Sequence, residues 1–262
     1  MAWNIVRHAF VIVFGNFREA LKASIVPFAI LIATLSVLMS ALGLPLYHDA
    51  LIVPAVESES AAAPAGFMSL PLYLFIFAWV AVTWHRFILL EEYPAIVPAV
   101  SNRPIWAYVG RSLMLMLQMM MVLIPVMLIT MGFILGSITD PNALMLNTGS
   151  GLVFMIVAGS IYSFFWLRIG VSLPAVAVGR PINSRTAWAE TTPVWKTILG
   201  ASVILVALNL VVTLAFSLLF AGIPLISYIL SVVIQWVSMM IGVSVLTTIY
   251  GHVIEGRPLT GS

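Results

Sequence analysis

Six stretches of this chain are long enough and apolar enough to cross a bilayer as helices, and almost nothing in them is charged. A helix rises about 1.5 Å per residue, so the roughly 30 Å hydrocarbon layer takes about 20 mostly apolar residues. Backbone groups in lipid have no water to bond to, so each span must satisfy its own amides, and helices do this locally. The runs are 23–47, 67–90, 107–138, 151–178, 198–222 and 225–250. Breakers lie between them: Pro64 and Gly66, the segment Pro94 to Pro104, Asp140-Pro141-Asn142, Gly179 to Pro181, and Gly222-Ile223-Pro224. Charged residues make up only 8% of the 262, against about 25% in a soluble domain, so the chain has too little polar surface to cover itself in water. The expectation is an all-α polytopic integral membrane protein forming one membrane domain over 1–262.

Residues 1–22 precede the first run. Trp3, Val6, Phe10, Val13, Phe14, Phe17 and Leu21 recur at helical spacing, while Asn4, Arg7, His8, Asn16, Arg18 and Lys22 fall largely on the other face. This pattern predicts an amphipathic helix lying in the interface, its basic face toward anionic headgroups, with Pro27 as the break before the first span. The charges continue through Arg18, Glu19 and Lys22, so this is not the pattern of a cleaved secretory signal.

Orientation follows from the basic residues. With the N-terminus inside, Arg7, Arg18, Lys22, Arg86, Arg103, Arg111, Arg180, Arg185, Lys196 and Arg257 all fall on inner segments, and Arg168 lies in the inner half of the fourth run, which accounts for all 11. The outer loops hold only acids, Asp49, Glu57, Glu59 and Asp140. Six spans with both termini in the cytoplasm are expected.

Chemistry-bearing residues gather at the inner face. Arg168, in SFFWLRIG, places a charge inside an apolar helix at a penalty of about 2.5–3.5 kcal/mol at the bilayer centre. With His85, Arg86, Arg103 and Arg185 it is a candidate site for an anionic ligand or lipid headgroup. The structural reading is an ion pair with Glu91 or Glu92, or snorkelling to phosphate. Adjacent carboxylates on a helix point about 100° apart, so Glu91 and Glu92 need not share a site. No second acidic or histidine motif at ligand spacing joins them, and salt-bridging is their expected role.

Trp84, Arg86, Arg103 and Trp106 are matched at one constant offset by Trp166, Arg168, Arg185 and Trp188, as a duplicated helix pair would produce. Methionines crowd the third run, with Met116/Met120 and Met127/Met131 at the i, i+4 spacing of a soft-metal path. Methionine is also an adaptable packing residue; with no cysteine and no methionine-rich outer loop, packing is the expected role. Gln118, Asn209 and Gln235 are candidates for interhelical hydrogen bonds. Nucleotide-binding, zinc-protease and serine-hydrolase motifs are missing, the tryptophans suit an interfacial belt, and no basic groove suits nucleic acid.

The segment LPAVAVGRPINSRTAWAETTPVWKTILGASVIL is similar to a pattern in bacterial six-helix inner-membrane families related to the membrane domain attached to some glycerophosphodiester phosphodiesterases. In those families a Leu-Pro-Ala turn leads into a short cytoplasmic helix and then the next span. Leu173, Pro174, Ala175, Ala187, Trp188 and Thr191 stand at the matching positions. The resemblance implies a bacterial inner-membrane protein with an interfacial helix before six spans. It does not imply hydrolysis, because no catalytic domain is attached, and the acid often found where Gly179 or Arg180 stands is missing.

Three functions of different class follow. The first is a non-enzymatic scaffold or accessory subunit, with membrane lipids, anionic phospholipid above all, and a membrane-protein complex as partners. The second is a transporter or lipid-handling protein, and the third an intramembrane enzyme, for which no acid–base constellation is found. No cofactor, metal or nucleic acid is implied.

Overall fold

The structure is a computed structural model, and it describes residues 1–41, 59–139, 143–220 and 223–259. Among these it is all-helical, and six helices are long and apolar enough to cross a membrane. In chain order the helices are α1 (Ala2–Gly15), α2 (Phe17–Ala41), α3 (Glu59–Leu90), α4 (Ile105–Thr139), α5 (Ala143–Gly170), α6 (Ser172–Ala177), α7 (Ser184–Thr191), α8 (Trp195–Phe220) and α9 (Pro224–Ile249). A 3-10 turn, Thr192–Val194, joins α7 to α8, and a π-helical turn, Tyr250–Ile254, extends α9.

α3 is the most enclosed of the spans, packed against α2, α4, α6 and α9. α3 and α9 run in the same direction and are stitched together by polar side chains at Trp84 and His85. α5 packs on α8 and α4, which closes the other side of the bundle.

The boundaries differ from the sequence reading where tertiary contacts decide them. The first break falls at Asn16, not Pro27. Asn16 leaves helical backbone at φ −120°, ψ 39°, and its Nδ2 donates to the Ile12 carbonyl at 2.9 Å, closing α1. Pro27 lies inside α2, as a membrane helix tolerates when its neighbours cover the freed carbonyl. The first span therefore starts at Phe17, and its expected end at Tyr47 lies outside the described residues, as do the outer-loop acids Asp49, Glu57 and Asp140. The fourth run is not one helix, since α5 ends at Gly170 and α6 follows at Ser172.

The packed face of α1 also differs from the expected one. Ile5, Val6, Ala9 and Val13 are buried against α8 and α9, whereas Trp3 and Phe14 point outward. α1 comes so close to α8 that a Cβ on Gly200 would stand 2.9 Å from Ala2 Cβ, so glycine is what lets the two backbones approach.

Candidate functional site

The polar residues of the bundle collect at the end where α3 finishes. α3 stops at Leu90, and Glu91 then takes φ +56°, a left-handed conformation that costs a non-glycine residue about 1 kcal/mol. This turn brings Glu92 back beneath its own helix, its N–H returning to the Arg86 carbonyl at 3.4 Å. The Glu92 carboxylate then accepts from Arg86 Nη2 at 2.5 Å and from Arg86 Nε at 3.0 Å, a two-pronged pairing. Arg103, arriving on the loop before α4, donates to the same carboxylate. The Arg86 hydrogen bonds hold the Glu92 carboxyl below the ordinary glutamate range; partial burial opposes them and Arg103 adds to them.

Arg86 also donates through Nη1 to the Ala177 carbonyl at 2.9 Å, near the end of α6. The last carbonyls of a helix carry partial negative charge and lack helical donors, so an arginine there satisfies both needs. α6 itself ends in a glycine turn: Gly179 has φ +78°, and the Arg180 N–H returns to the Ala175 carbonyl at 2.8 Å.

A second cluster repeats this design beside the first. Glu255 Oε1 lies 3.7 Å from Arg180 Nη1, and Glu255 Oε2 lies 2.7 Å from Arg257 Nε, an ionic contact whose direction falls short of a hydrogen bond. Arg257 Nη2 donates to the Leu89 carbonyl at 2.7 Å, so the C-terminal segment clasps the end of α3. In both clusters one glutamate stands between two arginines, and one of those arginines finishes a neighbouring helix. Sequence reasoning missed this second cluster. The signal was present, for Gly179-Arg180-Pro181 and Gly256-Arg257-Pro258 repeat the same tripeptide, and both glycines have positive φ.

His85 belongs to the interior of α3, not to the charged cluster. It is fully buried, with Nδ1 2.8 Å from Thr247 Oγ1 on α9 and Nε2 3.2 Å from Tyr108 Oη on α4. Thr247 gives its own proton to the Val243 carbonyl at 2.8 Å. It is therefore an acceptor toward Nδ1–H, and Nε2 accepts from the Tyr108 hydroxyl, which describes a neutral imidazole locking three helices. One residue earlier, Trp84 Nε1 donates to Ser244 Oγ on α9 at 2.8 Å.

Arg168 stands apart from Arg86 and His85. It is 5% exposed, and its guanidinium carbon lies 3.5 Å from the ring centroid of Trp188 on α7. Its Nη2 donates to the Trp188 carbonyl and to Thr192 Oγ1, each at 2.7 Å, and its Nε donates to Thr191 Oγ1 at 3.1 Å. Neither of the predicted partners, Glu91 and Glu92, meets it. Neutral acceptors and an aromatic face hold the cation instead, in a site where burial strengthens both interactions. Arg185 is exposed on α7, and Glu91 is exposed at its turn. The two tryptophan–arginine sets occupy matching places at helix ends, yet their side chains do different work: Trp106 is 72% exposed, whereas its counterpart Trp188 is half-buried beneath the Arg168 guanidinium.

Of the amides expected to bridge helices, Asn209 and Gln235 are exposed, and Gln118 Oε1 is buried without a hydrogen-bond partner among the described residues. No group of three or more His, Asp or Glu side chains suited to a metal gathers among the described residues. The six positions that carry the family resemblance lie in two short helices, Leu173, Pro174 and Ala175 in α6 and Ala187, Trp188 and Thr191 in α7. In comparisons with known proteins, the chain matches no protein-family model, no curated protein and no solved structure.

Proposed function

We propose that this chain is a non-enzymatic scaffold or accessory subunit of a membrane complex in a bacterial inner membrane. One observation carries the reading: His85, Arg86, Glu92, Arg103 and Arg168 are joined to the chain itself. Arg86 and Arg103 hold Glu92, Arg86 and Arg257 finish helix ends, Arg168 is caged by α7, and His85 locks α3 to α4 and α9. A catalytic or transport site needs such groups turned toward a substrate, whereas a scaffold needs them to fix helix positions.

The same end of the bundle gathers Arg86, Arg103, Arg180 and Arg257, and this concentration of arginine supports a cytoplasmic position for that end. Both termini are then cytoplasmic, and α1, laid across α8 and α9 with Trp3 and Phe14 outward, is the interfacial helix. Reporter fusions near Glu57 and at the C-terminus are expected to report opposite sides of the membrane. The same side for both would overturn the topology.

Purification of the tagged full chain from its native membrane in mild detergent, with mass spectrometry, tests the function. A stoichiometric membrane-protein partner is expected. A partner-free chain that carries a solute or lipid across proteoliposomes supports the alternative, a transporter or lipid-handling protein with its anionic site at the cytoplasmic face.

A further inference from the structure

A groove of about 440 Å³ separates the first turns of α4 from the turn after α6, with Ala107, Gly110, Arg111 and Met114 on one wall and Val176 and Gly179 on the other. Two glycines keep it open. A Cβ at Gly110 or at Gly179 would meet no atom within 4 Å, and the φ of +78° at Gly179 disfavours any other residue there. Ala107, Gly110 and Met114 follow one another at i, i+3 and i+7, so they form a continuous apolar stripe along α4.

Arg111 is the charged residue among those that line the groove. Unlike Arg86, Arg103, Arg180 and Arg257, it has no carboxylate within salt-bridge distance among the described residues, and its Nη1 lies 3.8 Å from Met114 Sδ. Glu92 and Glu255, the acids at this end of the bundle, each already face two arginines.

A lone guanidinium above an apolar trough is complementary to an amphiphile with an anionic head. The guanidinium offers paired N–H donors to phosphate oxygens, and the trough offers a hydrocarbon tail the contacts that a small soluble anion could not use. Arg111 lies six residues past the start of α4, roughly 9 Å along the helix, and Met114 lies about one turn further in. Its uncompensated charge favours a headgroup with net negative charge over a zwitterionic one.

We propose that this groove binds one anionic phospholipid, its phosphodiester on Arg111, its glycerol against Gly110 and one acyl chain leaving past Met114 toward the bilayer core. The site is separate from the candidate residues His85, Arg86, Arg103, Arg168 and Arg185, and it stands whether or not the chain has a protein partner.

The test uses the full chain in detergent, titrated with phosphatidylglycerol or phosphatidylcholine and read by native mass spectrometry. A single phosphatidylglycerol is expected to bind about tenfold more tightly than phosphatidylcholine, a difference of about 1.4 kcal/mol. Arg111→Gln should abolish that preference. Gly110→Leu, which has room for its side chain and improves helix propensity, should weaken both lipids about tenfold by filling the trough. Lys196→Gln, which removes an equal charge from the exposed start of α8, should change neither. Equal loss from Lys196→Gln would show a diffuse charge effect and overturn the site. So would glycerol phosphate competing as well as the lipid, or phosphatidylglycerol binding that ignores Gly110→Leu, because either means a free-anion site without a chain groove.

Discussion

Replacing Trp84 with alanine is expected to destabilise the bundle by about 4 kcal/mol, measured as unfolding in mixed detergent micelles. The indole is completely buried between α3 and α9, packs at 5.4 Å on Phe87 and donates to Ser244. Lipid and protein interiors are equally apolar, so the loss comes from the cavity and the broken packing, with no term for transfer from water. Trp84→Phe keeps most of the ring volume and removes the hydrogen bond, which in membrane bundles is worth about 0.6 kcal/mol. That variant should lose less than half as much as the alanine. Trp106→Ala, at the exposed start of α4, should fall within about 0.5 kcal/mol of the wild type. Equal losses at Trp84 and Trp106 would mean that the α3–α9 seam is not where the bundle is held.

Arg168→Leu is expected to cost about 3 kcal/mol and to loosen α7 from α5. A desolvated cation–π contact is worth about 2 kcal/mol. The hydrogen bonds to Trp188, Thr191 and Thr192 add to it, although each of those groups keeps another partner when the arginine is removed. Removing a buried charge also relieves a desolvation penalty, which is why the net loss stays well below the sum of the contacts. Lysine should restore less than half, since an ammonium has no plane to lay on the indole and cannot reach three acceptors in the same geometry. The readouts are the unfolding midpoint and the rate of proteolysis within residues 184–194. Full stability in Arg168→Leu, combined with loss of a lipid or solute flux, would show that the arginine serves a ligand and that its cage is incidental.

These two residues show how much of the molecule is legible in its sequence. The number and placement of the spans can be read directly, because twenty apolar residues in a row leave the backbone no other solution than a helix. Boundaries were less legible. Pro27 reads as a break in an isolated helix, but within a packed bundle the break moves to Asn16, where a side-chain amide closes the preceding helix. Glu92 was readable as a salt-bridge partner, since it lies six residues from Arg86 on a chain that must turn at the membrane surface. The partners of Arg168 were not, because a buried cation suggests a carboxylate, and the sequence cannot tell that a tryptophan face and a carbonyl on α7 will stand there instead. Ser244, Thr247 and Arg257 were invisible for a plainer reason: their partners are about 160 residues away, and hydroxyls or arginines on a membrane helix carry no mark of which distant helix they will meet.

The seam between α3 and α9 has a consequence for how the molecule is made. An indole N–H and an imidazole threaded early into the bilayer find their partners only when α9 is delivered, some 160 residues of synthesis later. Until then α3 sits in the membrane with donors and acceptors that hydrocarbon cannot satisfy, a state that marks the nascent bundle as unfinished. A chain stopped short of α9 therefore lacks the means to close its own centre.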